Sequence, residues 1–254
     1  MRRSSIILLV NLLFAASSAQ ALQFTANAVM STPAGVDVST YLYYSTGRIR
    51  KEFFYYGEPV IQILDANRHI SLMCFSEQKI CYENKSEEEI NIGIENAMLT
   101  PCDSNPALVC ENMGIEELNT RKATRWQIKS KEADKERVSS FWVDTELNIP
   151  VKQILPNGTT IELKWLGDEQ LNNRATHKWL QKIKLANGDT EQSFQWFDKE
   201  LKISIRETFS NGNSQELRNI VVEKLDDTLF TMPVGFENIS RMQRSVESDA
   251  TSLK

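Results

Sequence analysis

Two copies of a Trp-x-Asp-x-Glu-Leu motif carry carboxylate pairs, the side chains of this sequence that come nearest to a catalytic arrangement. They place Asp144 two residues before Glu146, and Asp198 two residues before Glu200. Two carboxylates can act as acid and base in glycoside hydrolysis. Each Asp, however, directly follows a strand-like run, where Asp side chains hydrogen-bond the local backbone of a turn. A motif present twice suits a structural role better than one active site, so we assign these acids to turns.

Arginine and tryptophan also recur at matching positions of the two copies. Arg121 and Arg174 either bind an anionic group or pair with nearby acids. Trp142 and Trp196 either pack as anchors or form a stacking platform. Pairing and packing are the commoner roles, and the ligand roles stay open. The candidate contacts for an anionic group are Arg48, Arg50, Arg121 and Arg174.

The motifs of other catalytic and cofactor sites are absent from the sequence. It contains no Gly-x-Ser-x-Gly, no phosphate loop, no Gly-x-Gly-x-x-Gly and no His-Glu-x-x-His. The two histidines, His69 and His177, stand far apart, and there is no Cys-x-x-Cys. We therefore predict neither an enzyme nor a cofactor nor a metal site.

The N-terminal residues have the layout of a secretory signal peptide. Arg2 and Arg3 precede an apolar stretch from Ile6 to Ala16, and Ala19-Gln20-Ala21 is a small-x-small cleavage site. We expect cleavage after Ala21 and export of the remainder. No later apolar run reaches the roughly 20 residues that a membrane-spanning helix needs. The net charge of −5 argues against a nucleic-acid binder.

Cysteines in an exported chain indicate disulfides when their number is even. The chain has four, which allow three pairings: Cys74, Cys81, Cys102 and Cys110. We favour Cys74–Cys81 and Cys102–Cys110 because both loops are short.

Alternation of apolar and polar residues is the main structural signal. Ile161, Leu163 and Trp165 alternate with Glu162 and Lys164, which is typical of an antiparallel strand with one buried face. Asn-Gly dipeptides, a strong hairpin signal, lie between such runs at 157–158, 187–188 and 211–212. The sequence thus predicts a meander of many strands. Two short helices are expected, over 86–99 and 107–113.

The second half of the chain repeats itself. Residues 114–121 match 167–174 at the Gly, Glu, Leu, Asn and Arg positions, and the Trp-Asp motifs match at nearly the same offset. Two copies are too few for a solenoid, but they form a duplicated module at about 114–163 and 167–217. We predict a signal peptide at 1–21, one β domain over 22–240 that contains this duplication, and a polar tail over 241–254.

Four segments of the chain follow one another in a recognisable order. They are Gly47-Arg48-Ile49-Arg50-Lys51-Glu52, Lys79-Ile80-Cys81-Tyr82, Trp142-Val143-Asp144 and Phe230-Thr231-Met232-Pro233-Val234-Gly235-Phe236. In this order they resemble the LolA/LolB-like superfamily of periplasmic outer-membrane lipoprotein-sorting proteins, and the likeness covers most of 22–238. The resemblance implies a periplasmic location and a mainly β fold. That fold is an antiparallel meander forming a half-open, strongly curved barrel, with one or two short helices as lid or plug.

The resemblance also implies an apolar concave face that shelters acyl chains. The candidate wall residues are Phe53, Tyr55, Ile61, Ile63, Trp142 and Trp196. The run from Phe53 to Tyr56 is aromatic on both faces, which fits either a ligand wall or a core strand. The expected function is an exported binding module or chaperone for a lipid, lipoprotein or other apolar group. The alternative is an envelope structural or interaction protein that binds a protein partner without lipid.

Overall fold

The computed structural model describes residues 22–35, 37–86, 90, 108–132 and 135–239. Within these ranges the chain forms sixteen strands and one 3-10 helix, and no α-helix. The 3-10 helix is η1 (Asp227–Phe230), and the strands are β1 (Gln23–Ser31), β2 (Asp37–Ser45), β3 (Arg48–Tyr55), β4 (Glu58–Asp65), β5 (Ile70–Phe75), β6 (Ile80–Lys85), β7 (Val109–Leu118), β8 (Arg121–Glu132), β9 (Lys135–Asp144), β10 (Pro150–Ile154), β11 (Thr160–Leu171), β12 (Arg174–Lys184), β13 (Thr190–Asp198), β14 (Ser204–Phe209), β15 (Ser214–Val222) and β16 (Glu237–Asn238).

All the strands belong to one sheet, in the order β16-β6-β5-β4-β3-β2-β1-β15-β14-β13-β12-β11-β10-β9-β8-β7. Two antiparallel meanders, β1–β6 and β7–β15, join where β1 pairs with β15. Only β16 runs parallel to its neighbour, β6. The sheet is curved and does not close into a barrel. The mainly β, antiparallel and open fold expected from the sequence is therefore confirmed.

The hairpins form as predicted, but the chain uses two kinds of turn. In the three Asn-Gly turns only the glycine takes a positive φ, and the Asn side chain accepts the backbone N–H two residues later. A three-residue loop of this kind suits Gly in the left-handed position. The two-residue turns, with both residues at positive φ, are instead Asn119-Thr120 and Asn172-Asn173.

The two predicted helices have different outcomes. The helix over 86–99 lies outside the described residues apart from Ser86 and Ile90, neither of which is in a helix. The helix predicted over 107–113 is wrong for Val109–Met113, because this segment lies in β7 and pairs with β8. A segment this short is marginal as a helix in isolation, and cross-strand pairing with β8 satisfies its backbone instead.

Both copies of the duplicated module bury an alternating apolar triplet after the Asp of the motif. The triplets are Leu147, Ile149 and Val151, and Leu201, Ile203 and Ile205. The first packs with Trp179 and Phe197 of the second copy. The second packs with Phe24, Tyr44 and Ile49 of β1–β3. The first copy is thereby packed against the second, and the second against the first meander, through two separate apolar clusters.

A C-terminal segment covers one face of β4–β6. Leu225 and Phe230 pack against Ile63 and Leu72, together with the disulfide that joins β5 to β6. The 3-10 helix within this segment is capped by Asp226, whose carboxylate accepts the N–H of Thr228 at 2.8 Å. The opposite face of the same strands carries no part of this segment.

Candidate functional site

Alternate residues of β1–β6 form one face, which we call the Lys51 face. Directly paired residues of antiparallel strands share a face, so the register defines rows across the sheet. The middle row is Ala26, Leu42, Lys51, Gln62, Met73 and Tyr82. The row on one side of it is Phe24, Tyr44, Ile49, Leu64, Ser71 and Asn84. On the other side Phe53, Val60, Phe75 and Ile80 are paired.

The Lys51 face is apolar but only partly buried. One corner, with Phe24, Leu42 and Ile49, belongs to the core shared with the second module. Farther out, Val60 is also buried (2%), and the other side chains are half-buried or exposed. The most exposed apolar members are Tyr82 (42%), Tyr55 (54%), Val38 (57%) and Met30 (63%). Contiguous exposed apolar surface is unusual on a soluble protein and marks interaction sites.

Two polar side chains stand side by side at the centre of this face. Lys51 on β3 is paired directly with Gln62 on β4, so their Cβ atoms are about 4.5–5.5 Å apart. Both are half-buried. Neither has a hydrogen bond or ion pair in the described part of the chain. Burial lowers the pKa of the Lys51 ammonium, because desolvation disfavours the charged form.

The other face of β3–β5 is already occupied. Ile63 is 1% exposed and packs with Ile61 beneath Leu225 and Phe230. Of the six predicted wall residues, only Phe53 and Tyr55 lie on the Lys51 face, since Ile61 and Ile63 lie on the opposite one. The structure does not bring the six together on one surface, and contact of any of them with a ligand stays a prediction.

Two of the predicted anion contacts bind this same C-terminal segment. Arg48 Nη2 lies 2.7 Å from Asp227 Oδ1, and its guanidinium stacks over the Phe230 ring at 4.6 Å. Arg50 donates to Glu52 Oε1 at 2.8 Å and to the Leu229 carbonyl oxygen at 3.2 Å. Both guanidinium groups therefore hold the segment in place.

The other two predicted anion contacts pair with the Asp and Glu of the repeated motif. Arg121 donates from Nε to Asp144 Oδ2 and from Nη2 to Glu146 Oε2, the latter at 3.0 Å. Asp144 Oδ1 also accepts the backbone N–H groups of Glu146 and Leu147, each at 2.9 Å. The turn role predicted for this Asp is confirmed, and its carboxylate is fully engaged.

The second copy reproduces this network atom for atom. Arg174 donates to both carboxylate oxygens of Asp198 and, at 3.0 Å, to Glu200. Asp198 accepts the backbone N–H of Glu200 at 2.9 Å and that of Leu201 at 2.7 Å. The arginines in both copies thus bind acids of the chain itself, and a role in binding an external anion stays a prediction.

Burial and hydrogen bonding act in opposite directions on these aspartates. Desolvation by burial works to raise the pKa of Asp198, but the bonds from Arg174 and the Leu201 backbone outweigh it and hold the pKa below its usual value. The same balance, with Arg121 as the donor, lowers the pKa of Asp144. Both acids stay ionised, which suits a structural ion pair rather than a proton donor.

The repeated tryptophans are packed and hydrogen-bonded. Trp196 Nε1 donates to Glu169 Oε2 at 2.7 Å, and Trp142 Nε1 donates to Glu116 Oε2 at 2.6 Å. Cations flank each ring: Lys178 and Arg206 for Trp196, and Arg125 and Lys152 for Trp142. Less than a tenth of each residue is exposed. These contacts favour the anchor role.

Two hollows among the described residues lie in the second half of the chain. One, of about 330 Å³, is lined by Gln181, Ser193 and Glu207 among others. Its polar groups bond one another, since Ser193 Oγ donates to Glu207 Oε1 at 2.7 Å. The other, of about 430 Å³, lies between the Asn172-Asn173 turn and β15. Neither includes a residue of the Lys51 face, which is an open surface in the described part of the chain.

The disulfide Cys74–Cys81 is present, as predicted. Cys110 is also disulfide-bonded, while Cys102 lies outside the described residues, so the pairing Cys102–Cys110 stays a prediction. In the described ranges, no three His, Cys, Asp or Glu side chains cluster so that they could hold a metal ion. A search of the same ranges finds no helix with the length and apolar character to cross a membrane.

The chain matches no protein-family model and no curated protein sequence. Solved structures with a similar arrangement include a DUF1329 family protein from Desulfovibrio piger, at 9% identity and TM-score 0.36, covering 84% of this chain and 91% of that one. A putative outer membrane lipoprotein-sorting protein domain from Vibrio parahaemolyticus matches at 7% identity and TM-score 0.36, over 84% and 89%. A LolA superfamily protein from Nitrosomonas europaea matches at 9% identity and TM-score 0.38, over 84% and 90%.

One of these structures belongs to the LolA superfamily, which is the superfamily that the sequence motifs resemble. At so low a similarity they carry no ligand or partner over to this chain. The function is therefore argued from the residues described above. Sequence patterns missed Lys51 and Gln62, because only the strand register shows that they lie side by side among apolar neighbours.

Proposed function

We propose that this protein is an exported periplasmic binding module or chaperone for the acyl chain of a lipid or lipoprotein, which it holds on the Lys51 face. The observation that carries the proposal is a face that is apolar across six strands and yet only partly covered. The C-terminal segment covers the side of the sheet that carries Ile63, while the described residues leave much of the Lys51 face uncovered, so that a ligand could lie there.

The expected stabilisation is adequate for carrier function. Burying one methylene contributes about 0.8 kcal/mol. If about ten methylenes of an acyl chain lie on the face, the gross gain is about 8 kcal/mol. A gain of this size corresponds to a dissociation constant of about 1 µM before the cost of association is subtracted, so a single chain of this length binds no more tightly than the micromolar range, where a ligand can be both taken up and released.

Export is supported by the chemistry of the cysteines. Disulfides persist in oxidising compartments and are rare in the cytosol. Cys74 and Cys81 are both fully buried within the cluster under the C-terminal segment. Together with the signal-peptide layout of residues 1–21, this favours a periplasmic protein.

Two tyrosines provide a matched test of which face binds. Tyr82 lies on the Lys51 face and Tyr41 on the opposite one. They are 42% and 39% exposed, and each makes one edge-on contact with a neighbouring aromatic ring. Binding of the uncharged fluorescent probe N-phenyl-1-naphthylamine to delipidated protein would be measured for wild type, Tyr82→Glu and Tyr41→Glu.

We expect wild type and Tyr41→Glu to bind the probe alike and Tyr82→Glu to bind about tenfold more weakly, because a carboxylate in the apolar face must be desolvated. A flat titration of wild type at micromolar protein would contradict the proposed function. An equal loss of probe binding in Tyr82→Glu and Tyr41→Glu would contradict the choice of the Lys51 face.

A protein partner is the second candidate, favoured by the edge strand β7. Within the described residues β7 pairs only with β8, and Val109, Met113 and Ile115 on it are exposed. Exposed edge strands can accept a strand from another chain. Crosslinking in cells followed by a pull-down that returns one protein and no lipid would favour this alternative.

A further inference from the structure

We propose that Lys51 and Gln62 bind the headgroup of a singly charged anionic amphiphile, a carboxylate or phosphodiester on an alkyl chain that lies along the Lys51 face. This inference rests on the proposed function and names the class of ligand. It goes beyond an apolar site, because the face then selects for charge as well as for chain.

The position of the pair within the sheet indicates a headgroup site. The neighbours of Lys51 and Gln62 in the middle row are Leu42 and Met73. Ile49 and Phe53 stand two residues away along β3, on the same face. A cation and an amide in such surroundings cost free energy unless a partner satisfies them. An anionic headgroup would satisfy both, while its chain covers the apolar residues around them.

The described residues supply no counter-charge to Lys51. Among the described residues of the Lys51 face on β1–β6, the only acid is Glu58, which stands at the β3–β4 hairpin and accepts a hydrogen bond from Gln78 at 3.2 Å. Glu52, the next residue along β3 from Lys51, points to the other face and pairs with Arg50 at 2.7 Å. Lys51 is thus the one cation on this face among the described residues, and Glu58, which has no ion pair either, stands at the far end of β4 from it, four residues from Gln62.

A single cation fits a single negative charge. The Lys ammonium and the Gln amide together offer five N–H donors and no second charge. A doubly charged phosphate monoester would bring one uncompensated charge into apolar surroundings, and this is costly. The pair therefore favours a fatty-acid carboxylate or a phosphodiester, which share one charge and several acceptor oxygens.

Competition against N-phenyl-1-naphthylamine tests the headgroup separately from the chain. The competitors all have a chain of twelve carbon atoms: dodecanol, dodecanoate, dodecyl phosphate and lauroyl lysophosphatidylglycerol. In wild type we expect dodecanoate or the lysophosphatidylglycerol to displace the probe at least about tenfold better than dodecanol. Which of these two competes better identifies the source of the headgroup. Dodecyl phosphate should displace the probe less well than these two anions do.

Lys51→Met and Lys85→Met are the matched variants. Lys85 is an exposed lysine of β6 on the opposite face. Lys51→Met should erase the preference for the anion, so that dodecanol and dodecanoate compete alike, and Gln62→Leu should reduce the preference. Lys85→Met should behave as wild type. The thermal midpoint of ligand-free Lys51→Met should be no lower than that of wild type, since an apolar side chain replaces an unpaired cation.

The outcomes separate this inference from the function it rests on. If wild type binds dodecanol and dodecanoate equally, or if Lys51→Met keeps the preference for the anion, the headgroup site is overturned and the apolar carrier stands. If wild type binds neither the probe nor any of the four competitors, both are overturned.

Discussion

Replacing Asp198 with asparagine removes the charge at the centre of the second motif while keeping the shape of the side chain. Asp198 is 1% exposed and accepts bonds from Arg174 and from two backbone N–H groups. In the variant one carboxylate oxygen becomes an NH₂ group. If the asparagine oxygen keeps the two backbone hydrogen bonds, its NH₂ group faces the N–H donors of Arg174. Two donors then face each other, and the charge-assisted bonds to Arg174 are lost.

The resulting loss of unfolding free energy can be estimated from the geometry of the ion pair. Breaking a buried ion pair by removing one partner costs about 3–5 kcal/mol. Glu200 still holds Arg174 at 3.0 Å, and the arginine side chain is 18% exposed, so water can reach it. We therefore expect the lower end of that range, about 3 kcal/mol. For a domain of this size, that shifts the thermal midpoint by roughly 6–12 °C.

Urea unfolding followed by far-UV circular dichroism measures this change, and the duplication provides two controls. Asp144→Asn removes the same contacts in the first copy and should cost about as much. Glu200→Gln changes a carboxylate that is 76% exposed and should cost less than about 1 kcal/mol, as surface pairs do. The urea dependence of the free energy should keep its slope in all three variants.

Two results would refute this reasoning. If Asp198→Asn unfolds within about 1 kcal/mol of wild type, the buried carboxylate is not a structural element. If Asp144→Asn is neutral while Asp198→Asn is not, the shared hydrogen-bond pattern does not reflect a shared energetic role.

Three further predictions concern pH, the disulfide and one turn. The folded-state pKa of Asp198 is lowered, so the stabilisation by its carboxylate is full above the unfolded pKa of about 3.9 and is lost as pH falls through the folded pKa. The free energy of unfolding should therefore fall less steeply with acid in Asp198→Asn than in wild type. Equal slopes would contradict this. Replacing both cysteines of the β5–β6 disulfide with alanine should cost about 2–3 kcal/mol in urea unfolding, as expected for closing so short a loop, and no change would contradict a stabilising role. Gly212→Ala should lower the thermal midpoint more than Gly188→Ala. Both positions have a positive φ, but of the two only Gly212 would place a new Cβ 2.8 Å from the Pro33 ring. Equal shifts of the thermal midpoint would contradict this.

Apart from the start of β7, which was predicted as a helix, local patterns were sufficient to predict the antiparallel strands, the Asp turns and the disulfide within β5–β6. Period-two alternation fixes strand type, and an Asp after a strand needs only its own neighbouring N–H groups. Cys74 and Cys81 face each other across one hairpin, so their pairing is also local. These features depend on residues that are close in sequence.

The choice of face could not be predicted, because both faces of β4 are apolar. Ile61 and Ile63 alternate with Val60 and Leu64, so alternation alone does not show which set is covered. The set with Ile63 is covered by Phe230, which lies more than 160 residues farther along the chain. The wall residues predicted from sequence were therefore divided between a packed face and an open one.

The repeated arginines and Lys51 differ in whether their charges are paired, and this difference is the reason for placing the proposed ligand on β1–β6. In the duplicated half, Arg121 and Arg174 each have carboxylates of their own module, and the repeated tryptophans donate to glutamates. In the first half, Lys51, the central cation of an apolar face, has no such partner among the residues that the structure describes. An unpaired, half-buried ammonium lowers the stability of the ligand-free protein. A partner from outside the chain would reverse that cost, so the position that destabilises the empty protein is also the position where a bound anion gains most.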